Sequence, residues 1–175
     1  MSRRSSQIDV GFNQKSASST NICSTSRNTY RSGTFVRDGK KTRDCGIEVF
    51  PGIAEKLPFL PQQFDYALMV TTICFIDVIE QSFKEAWRVL KPNGIIIIGF
   101  VDSESKIGQT YLKRKHESVF YQDATFYSTK EVLEHLQNAG FKESSTIQTL
   151  FPEPTLDAIK SGFGEGSFVV ITSHK

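Results

Sequence analysis

Phe64-Asp65-Tyr66-Ala67-Leu68-Met69-Val70-Thr71, followed at a distance by Lys91-Pro92-Asn93-Gly94-Ile95-Ile96-Ile97-Ile98-Gly99-Phe100-Val101, is the stretch that decides the fold. The first run is apolar almost throughout, which predicts a strand over residues 64–71 buried on both faces, as in a parallel sheet. Between the two runs Ile79, Phe83, Trp87 and Leu90 recur at four, four and three residues, the period of one helical face. Proline cannot continue a helical ladder and Asn-Gly accepts a turn, so 91–94 should end that helix. Four successive isoleucines then open a second strand, over 95–101.

The alternation continues toward the carboxyl end. Ser128 with Glu131 spells a capping box, Val132, Leu133, Leu136 and Ala139 line one helical face, and Gly140 closes the helix. Residues 146–151 and 167–172 read as two further strands, and residues 47–50, stopped by Pro51-Gly52, as an earlier one. Strand, helix, strand, helix, strand, strand points to an open α/β sheet with an antiparallel element at its end.

Length and composition agree with one domain. The chain has 175 residues, 38% of them hydrophobic, and its apolar runs fall far short of the ~18 residues that span a bilayer. No charged-then-apolar leader opens it, so a soluble cytoplasmic protein without membrane contact is expected. Cysteines 23, 45 and 74 are odd in number and widely spaced, which suggests reduced thiols and neither a disulfide framework nor a zinc site.

Charge divides the chain in two. Residues 1–45 carry 9 Lys plus Arg against 3 Asp, with 9 Ser and 5 Thr and no Leu, Glu, His or Pro; residues 46–175 carry 12 basic against 16 acidic residues. The first segment offers too little apolar surface to offset its ordering entropy and reads as disordered or non-homologous. An organellar transit peptide and a basic arm for nucleic acid are weaker readings, since no run sets apolar residues opposite the arginines and no aromatics interleave them.

Three blocks carry a resemblance: Gly52-Ile53-Ala54-Glu55-Lys56-Leu57-Pro58-Phe59, Phe64-Asp65-Tyr66-Ala67, and Phe83-Lys84-Glu85-Ala86-Trp87-Arg88-Val89-Leu90-Lys91-Pro92-Asn93-Gly94. In this order and spacing they resemble the class I S-adenosylmethionine-dependent methyltransferases of the type-11 group, akin to the ubiquinone and menaquinone biosynthesis enzymes. The resemblance implies a Rossmann-like sheet over residues 46–175, S-adenosyl-L-methionine as cofactor and a small-molecule methyl acceptor. It implies cofactor contacts at Ile53 and Ala54, after the third strand of the family, and at Val70 and Thr71, at the end of its fourth. Thr72, Phe100, Val101, Tyr121 and Tyr127 are implied in the acceptor pocket. No catalytic side chain is indicated, because a sulfonium carbon is already electrophilic and asks chiefly for in-line approach and desolvation.

The family also carries acidic-x-Gly-x-Gly-x-Gly after its first strand and an acidic residue ending its second, and neither is apparent ahead of Ile47. Gly11, Gly33 and Gly39 are scattered. The sheet is therefore expected to be incomplete, lacking its first two strands and leaving residues 47–50 without neighbours, in a fragment or a product whose first part is replaced or misread. A non-catalytic remnant pairing its exposed strand with another chain is the alternative function, and a basic-tail nucleic-acid binder a weaker one. Gly162-Phe163-Gly164-Glu165-Gly166 precedes a strand and not the helix that a cofactor loop must open, so it reads as a flexible loop.

The remaining candidates read as structural. Lys113-Arg114-Lys115-His116 is a solvated charge run. Tyr111, Phe120, Tyr121, Phe126 and Tyr127 form either an aromatic cover over the acceptor or simple core packing. His135 should be at the surface, Asp65 should satisfy backbone at a strand entrance, Glu55 should order its loop, and Asp77 with Glu80 should begin the helix that carries Trp87.

Overall fold

The two apolar runs pair with each other in parallel, Tyr66 opposite Ile95 through Val70 opposite Gly99, and form the middle of the sheet. The computed structural model describes residues 7–12, 20–23, 29–32, 47–50, 52–117, 121–151 and 158–175. Within them lie strands β1 (Gln7–Phe12), β2 (Thr20–Cys23), β3 (Thr29–Ser32), β4 (Ile47–Phe50), β5 (Phe64–Val70), β6 (Leu90–Val101), β7 (Lys142–Thr149), β8 (Lys160–Ser161) and β9 (Phe168–His174), and helices α1 (Ile79–Val89), α2 (Lys106–Arg114) and α3 (Thr129–Asn138). The order across the sheet is β4-β3-β1-β5-β6-β9-β7-β8, with β2 set beside β1. Strands β4 to β6 in that order are parallel, and β9 enters antiparallel to β6. This is the open α/β sheet with an antiparallel end that the alternation predicts, and the Rossmann-like sheet that the resemblance implies.

One expectation is corrected here. The sheet does not lack its first two strands: β1 and β3 stand between β4 and β5, and β4 pairs residue for residue with β3, from Thr29 opposite Ile47 to Ser32 opposite Phe50. A period-two signal was there to read, since Ile8, Val10 and Phe12 alternate along β1, whereas Thr29-Tyr30-Arg31-Ser32 offers none. A ladder formed by backbone groups does not require apolar side chains at every rung. The rest of 1–45, on which the expectation of disorder falls, lies outside the described residues.

Burial on both faces is also revised. Ala67, Met69, Ile96, Ile98, Val169 and Ile171 join Phe83 and Ala86 of α1 and Val132 and Leu136 of α3 in one buried cluster. Tyr66, Leu68, Ile95 and Ile97, on the opposite face, are only half-buried among the described residues. Both helices thus cover the same face. Trp87 lies outside this core, with its ring under the Lys175 ammonium at 3.9 Å and Leu90 already in strand. Residues 91–94 are taken up as an irregularity in the β5/β6 ladder, where Asn93 turns with φ of 62°.

The family blocks owe their spacing to one clamp. Glu85 on α1 accepts hydrogen bonds from Leu57 N (2.8 Å) and from Arg88 Nε (2.7 Å) and Nη2 (2.8 Å), while Arg88 donates to the carbonyls of Phe59 (2.9 Å) and Leu57 (3.1 Å). Burial works to raise the Glu85 pKa, but the bonds from Arg88 and Leu57 outweigh it and hold the carboxyl below its usual range. The loop after β4 is thereby fastened to α1. Arg88→Lys keeps the charge but loses the planar fork that reaches two carbonyls and a carboxylate together. We expect it to cost about 1–2 kcal/mol in urea unfolding, the partial exposure of the guanidinium keeping the figure modest.

Glu55 does more than order its own loop. Its Oε1 accepts from the backbone N–H of Asp77 (3.0 Å) and Val78 (3.2 Å), supplying from another segment the cap that Val78 cannot give α1. Asp65 meets the Lys91 ammonium at 2.9 Å. No described helix is long and apolar enough to cross a membrane.

Candidate functional site

Parallel strands β4, β1, β5 and β6 bring their carboxyl ends to one edge, where open α/β sheets bind ligands. At the end of β5, Thr71 holds φ of 52°, a left-handed conformation that is costly for a β-branched residue, while its N–H still donates to Gly99 O at 2.7 Å. The hydroxyls of Thr71 and Thr72 both donate to Val70 O, at 2.8 and 2.9 Å. This turn throws the chain away from the sheet into a short 3₁₀ turn, Ile73–Phe75, and opens a cavity behind it.

The cavity is about 200 Å³ in volume. Its floor comes from Thr71, Ile73, Cys74 and Phe75 after β5 and from Phe100 and Val101 at the end of β6; its cover comes from Tyr111 of α2 and from Tyr121, Phe126 and Tyr127. Backbone bonds hold the cover in place, Thr125 N to Cys74 O at 2.7 Å and Ser103 N to Tyr127 O at 3.0 Å. The rings touch one another. Tyr121 stacks between Tyr111 (centroids 5.3 Å apart) and Phe75 (6.3 Å), with Phe126 tilted against it at 5.7 Å.

Tyr111 arrives by a close approach. Ser105 caps α2 by accepting from Gly108 N at 3.0 Å, and Gly108 packs so tightly that a Cβ there would stand 2.0 Å from Asp102 O. Asp102, buried directly after β6, accepts from Glu104 N at 2.7 Å and from the Thr129 N–H and hydroxyl at the start of α3. One carboxylate therefore ties the end of β6 to the start of α3 and to the turn that leads into α2. Sequence reasoning missed it, because nothing in the spacing of Asp102 and Thr129 announces their contact.

The sequence-indicated residues fall into two groups. Thr71, Phe100, Val101, Tyr121 and Tyr127 line the cavity together, with Thr72 buried just behind it. Val70 (43% exposed) ends β5 just before Thr71, whereas Ile53 (42% exposed) and Ala54 (buried) follow β4, with β3 and β1 in between; the Glu55 bonds to Asp77 and Val78 tie their loop to the one after β5. Phe120 lies outside the described residues. Tyr111, Cys74 and Phe75 complete the lining; for Tyr111 and Phe126 the signal was the aromatic cluster itself. His135 is half-buried, its Nδ1 3.5 Å from Glu80 and its ring edge-on to Tyr127. The run 113–116 ends α2 largely in solvent. The glycine loop at 162–166 is fixed by the Gln148 side chain, which accepts from Glu165 N (2.9 Å) and Gly166 N (2.7 Å).

Electrostatically the cavity is neutral. None of its described lining residues carries a charged side chain. Burial pushes the Cys74 thiol up to about 12, against a smaller opposing pull from a backbone hydrogen bond. Burial likewise raises the phenols of Tyr121 and Tyr127. Because the folded thiol keeps its proton above the pH at which the unfolded one (near 9) loses it, its stabilising contribution is complete below pH 9 and declines up to about pH 12. We expect a loss of about 2 kcal/mol by pH 10.5 in urea unfolding, and a Cys74→Ala variant to lack that slope. Among the described residues no group of three or more His, Cys, Asp and Glu is placed to hold a metal ion.

The described residues of this edge, exposed apolar side chains at Ile53 and Val70 and a cavity with no charged lining, fit a nucleoside sulfonium. At the end of β1, Asp9-Val10-Gly11 matches the opening of acidic-x-Gly-x-Gly-x-Gly, while Asn13 and Lys15 stand where the next two glycines would be.

The chain belongs to the S-adenosylmethionine-dependent methyltransferases. The methyltransferase domain family matches residues 13–98, beginning ahead of Gly46, where the sequence blocks place the start of the resemblance. A SAM-dependent methyltransferase of Thermotoga maritima, described as a possible histamine N-methyltransferase, is 46% identical, with a TM-score of 0.78 over 82% of this chain and 72% of that one. An uncharacterized protein of Methanocaldococcus jannaschii is 43% identical over 133 residues, and one of Mycobacterium tuberculosis 30% identical over 141. The matched residues make up 74% and 75% of this chain, but only 65% and 48% of those proteins.

Proposed function

We propose that this protein transfers the methyl group of S-adenosyl-L-methionine to a small-molecule acceptor held in the aromatic cavity, with the cytoplasm as its compartment. The cavity carries the reading: it opens at the carboxyl ends of β5 and β6, on the sheet edge where open α/β sheets bind ligands, and the family resemblance would set the cofactor along that edge at Ile53, Ala54 and Val70. Bound there, the cofactor would supply a methyl carbon already activated by sulfonium charge. The chain's own part is to orient the acceptor between Phe100, Tyr121 and Tyr127 and to keep water away, which alone can lower a bimolecular barrier by several kcal/mol. The description of the Thermotoga relative as a possible histamine N-methyltransferase supports a small acceptor.

A second reading, a non-catalytic member of the family, is favoured by one observation, that Asn13 and Lys15 replace two glycines of the cofactor loop. A side chain at such a position keeps the backbone from approaching a ligand closely. Equilibrium dialysis with methyl-labelled cofactor decides between them. Saturable binding, followed by label appearing in a small-molecule acceptor, is the expected result. No binding at millimolar protein would leave the non-catalytic reading.

A further inference from the structure

We propose that the cavity takes a flat nitrogen heterocycle in its uncharged form and releases it as the N-methyl cation. This inference rests on the methyltransferase reading and adds the chemical class of the acceptor.

Charge comes first. The described lining offers no cationic side chain, so a carboxylate or phosphate would give up its water without a counter-charge, a cost of several kcal/mol. Proton removal comes second. A phenol or thiol must lose a proton to become a strong nucleophile, and the described lining holds no carboxylate or imidazole to take it. The Cys74 thiol and the Tyr121 and Tyr127 phenols keep their own protons at neutral pH. The acceptor must therefore arrive with a free lone pair.

The walls favour the product of such a reaction. Methyl transfer moves a positive charge onto the acceptor, and Phe75, Tyr111, Tyr121 and Phe126, which line the cavity as one cluster of rings with centroids 5.3–6.3 Å apart, surround it with the π-electron density that attracts a cation. A ring nitrogen carries its lone pair in the ring plane, so a flat ring can pack against this aromatic wall while the lone pair points at the methyl carbon. The nitrogen–carbon bond forms as the sulfur–carbon bond breaks; that pair stays on sulfur, which becomes neutral, and the ring leaves with the charge. No proton moves. At about 200 Å³ the cavity is slightly larger than the roughly 150 Å³ that accommodates benzene, which sets the size at one ring with short substituents.

The test uses two probes of equal size, 1,4-dimethylpyridinium as the product-like cation and p-toluate as the anion. Each is titrated into the full chain while the ring protons of Tyr and Phe are followed by NMR. We expect the cation to bind at least about tenfold more tightly, with shifts at Tyr121 and Phe126. Tyr121→Leu should bring the two probes near parity and Tyr121→Phe should retain the preference, far-UV circular dichroism showing that both variants fold. Equal or tighter binding of p-toluate, or no binding of either probe at ten millimolar, overturns the inference. A parallel titration with S-adenosylhomocysteine separates the two claims: absence of its binding removes the methyltransferase reading and, with it, the transfer inferred here, whereas its binding with anion preference removes this inference alone.

Discussion

A Gly108→Ala variant is expected to lose about 3 kcal/mol or more of folding stability, because the new methyl would stand 2.0 Å from the carbonyl oxygen of Asp102 and 2.9 Å from Ser103 Cα. Both are backbone atoms, so no rotamer change relieves the clash, and α2 must move bodily. Tyr111, one turn along the helix, moves with it and leaves the cavity wall. Urea denaturation measures the first effect. The second should appear as loss of the Tyr111–Tyr121 ring-current shifts in whatever fraction still folds.

Asp102→Ala should cost about 3 kcal/mol by a different route. The side chain is buried and satisfies three donors, Glu104 N, Thr129 N and the Thr129 hydroxyl; removal leaves them unpaired, two of them at the buried start of α3. Asp102→Asn, which can still accept through its carbonyl oxygen, should recover part of the loss. Thermal unfolding of the two variants side by side checks the order. Equal stability of wild type and Asp102→Ala would mean that the ends of β6 and the two helices are held by apolar packing alone.

Local chemistry was readable wherever it acts over a few residues. Ser128 and Glu131 do form a capping box, Gly140 takes φ of 99° behind α3, and the paired strands β5 and β6 follow from their apolar runs. Contacts between distant segments left no such mark. Glu85 reaches Leu57 across 28 residues, Asp102 reaches Thr129 across 27, and Glu55 caps a helix 22 residues away; only the folded sheet brings them together. The helical period put Trp87 in the core, yet the ring lies at its margin because α1 ends at Val89 and buries Phe83 and Ala86 instead.

Strands β1 and β3 show the opposite case, in which composition outweighed pattern. Abundant Ser, Thr and Arg argued for disorder, while the alternation Ile8, Val10, Phe12 and the Asp9-Val10-Gly11 opening of the cofactor-loop pattern were passed over. Short central strands supply few rungs and few apolar residues, so their signal is weakest where the sheet depends on them most. Of the site itself, the aromatic cover was legible as a cluster. Its neutral, charge-free lining was not, since that depends on which side chains the folded chain turns inward.

Methyl-resolved NMR during titration with S-adenosylhomocysteine tests the central claim, that the carboxyl ends of β4 and β5 hold a nucleoside sulfonium beside the aromatic cavity. The account predicts that the methyl signals of Ile53, Ala54, Val70 and Thr71 shift together and saturably, while those of Ile147 and Ile159 at the far edge of the sheet stay in place. Saturable shifts at the far edge alone, or none anywhere at millimolar ligand, would contradict it.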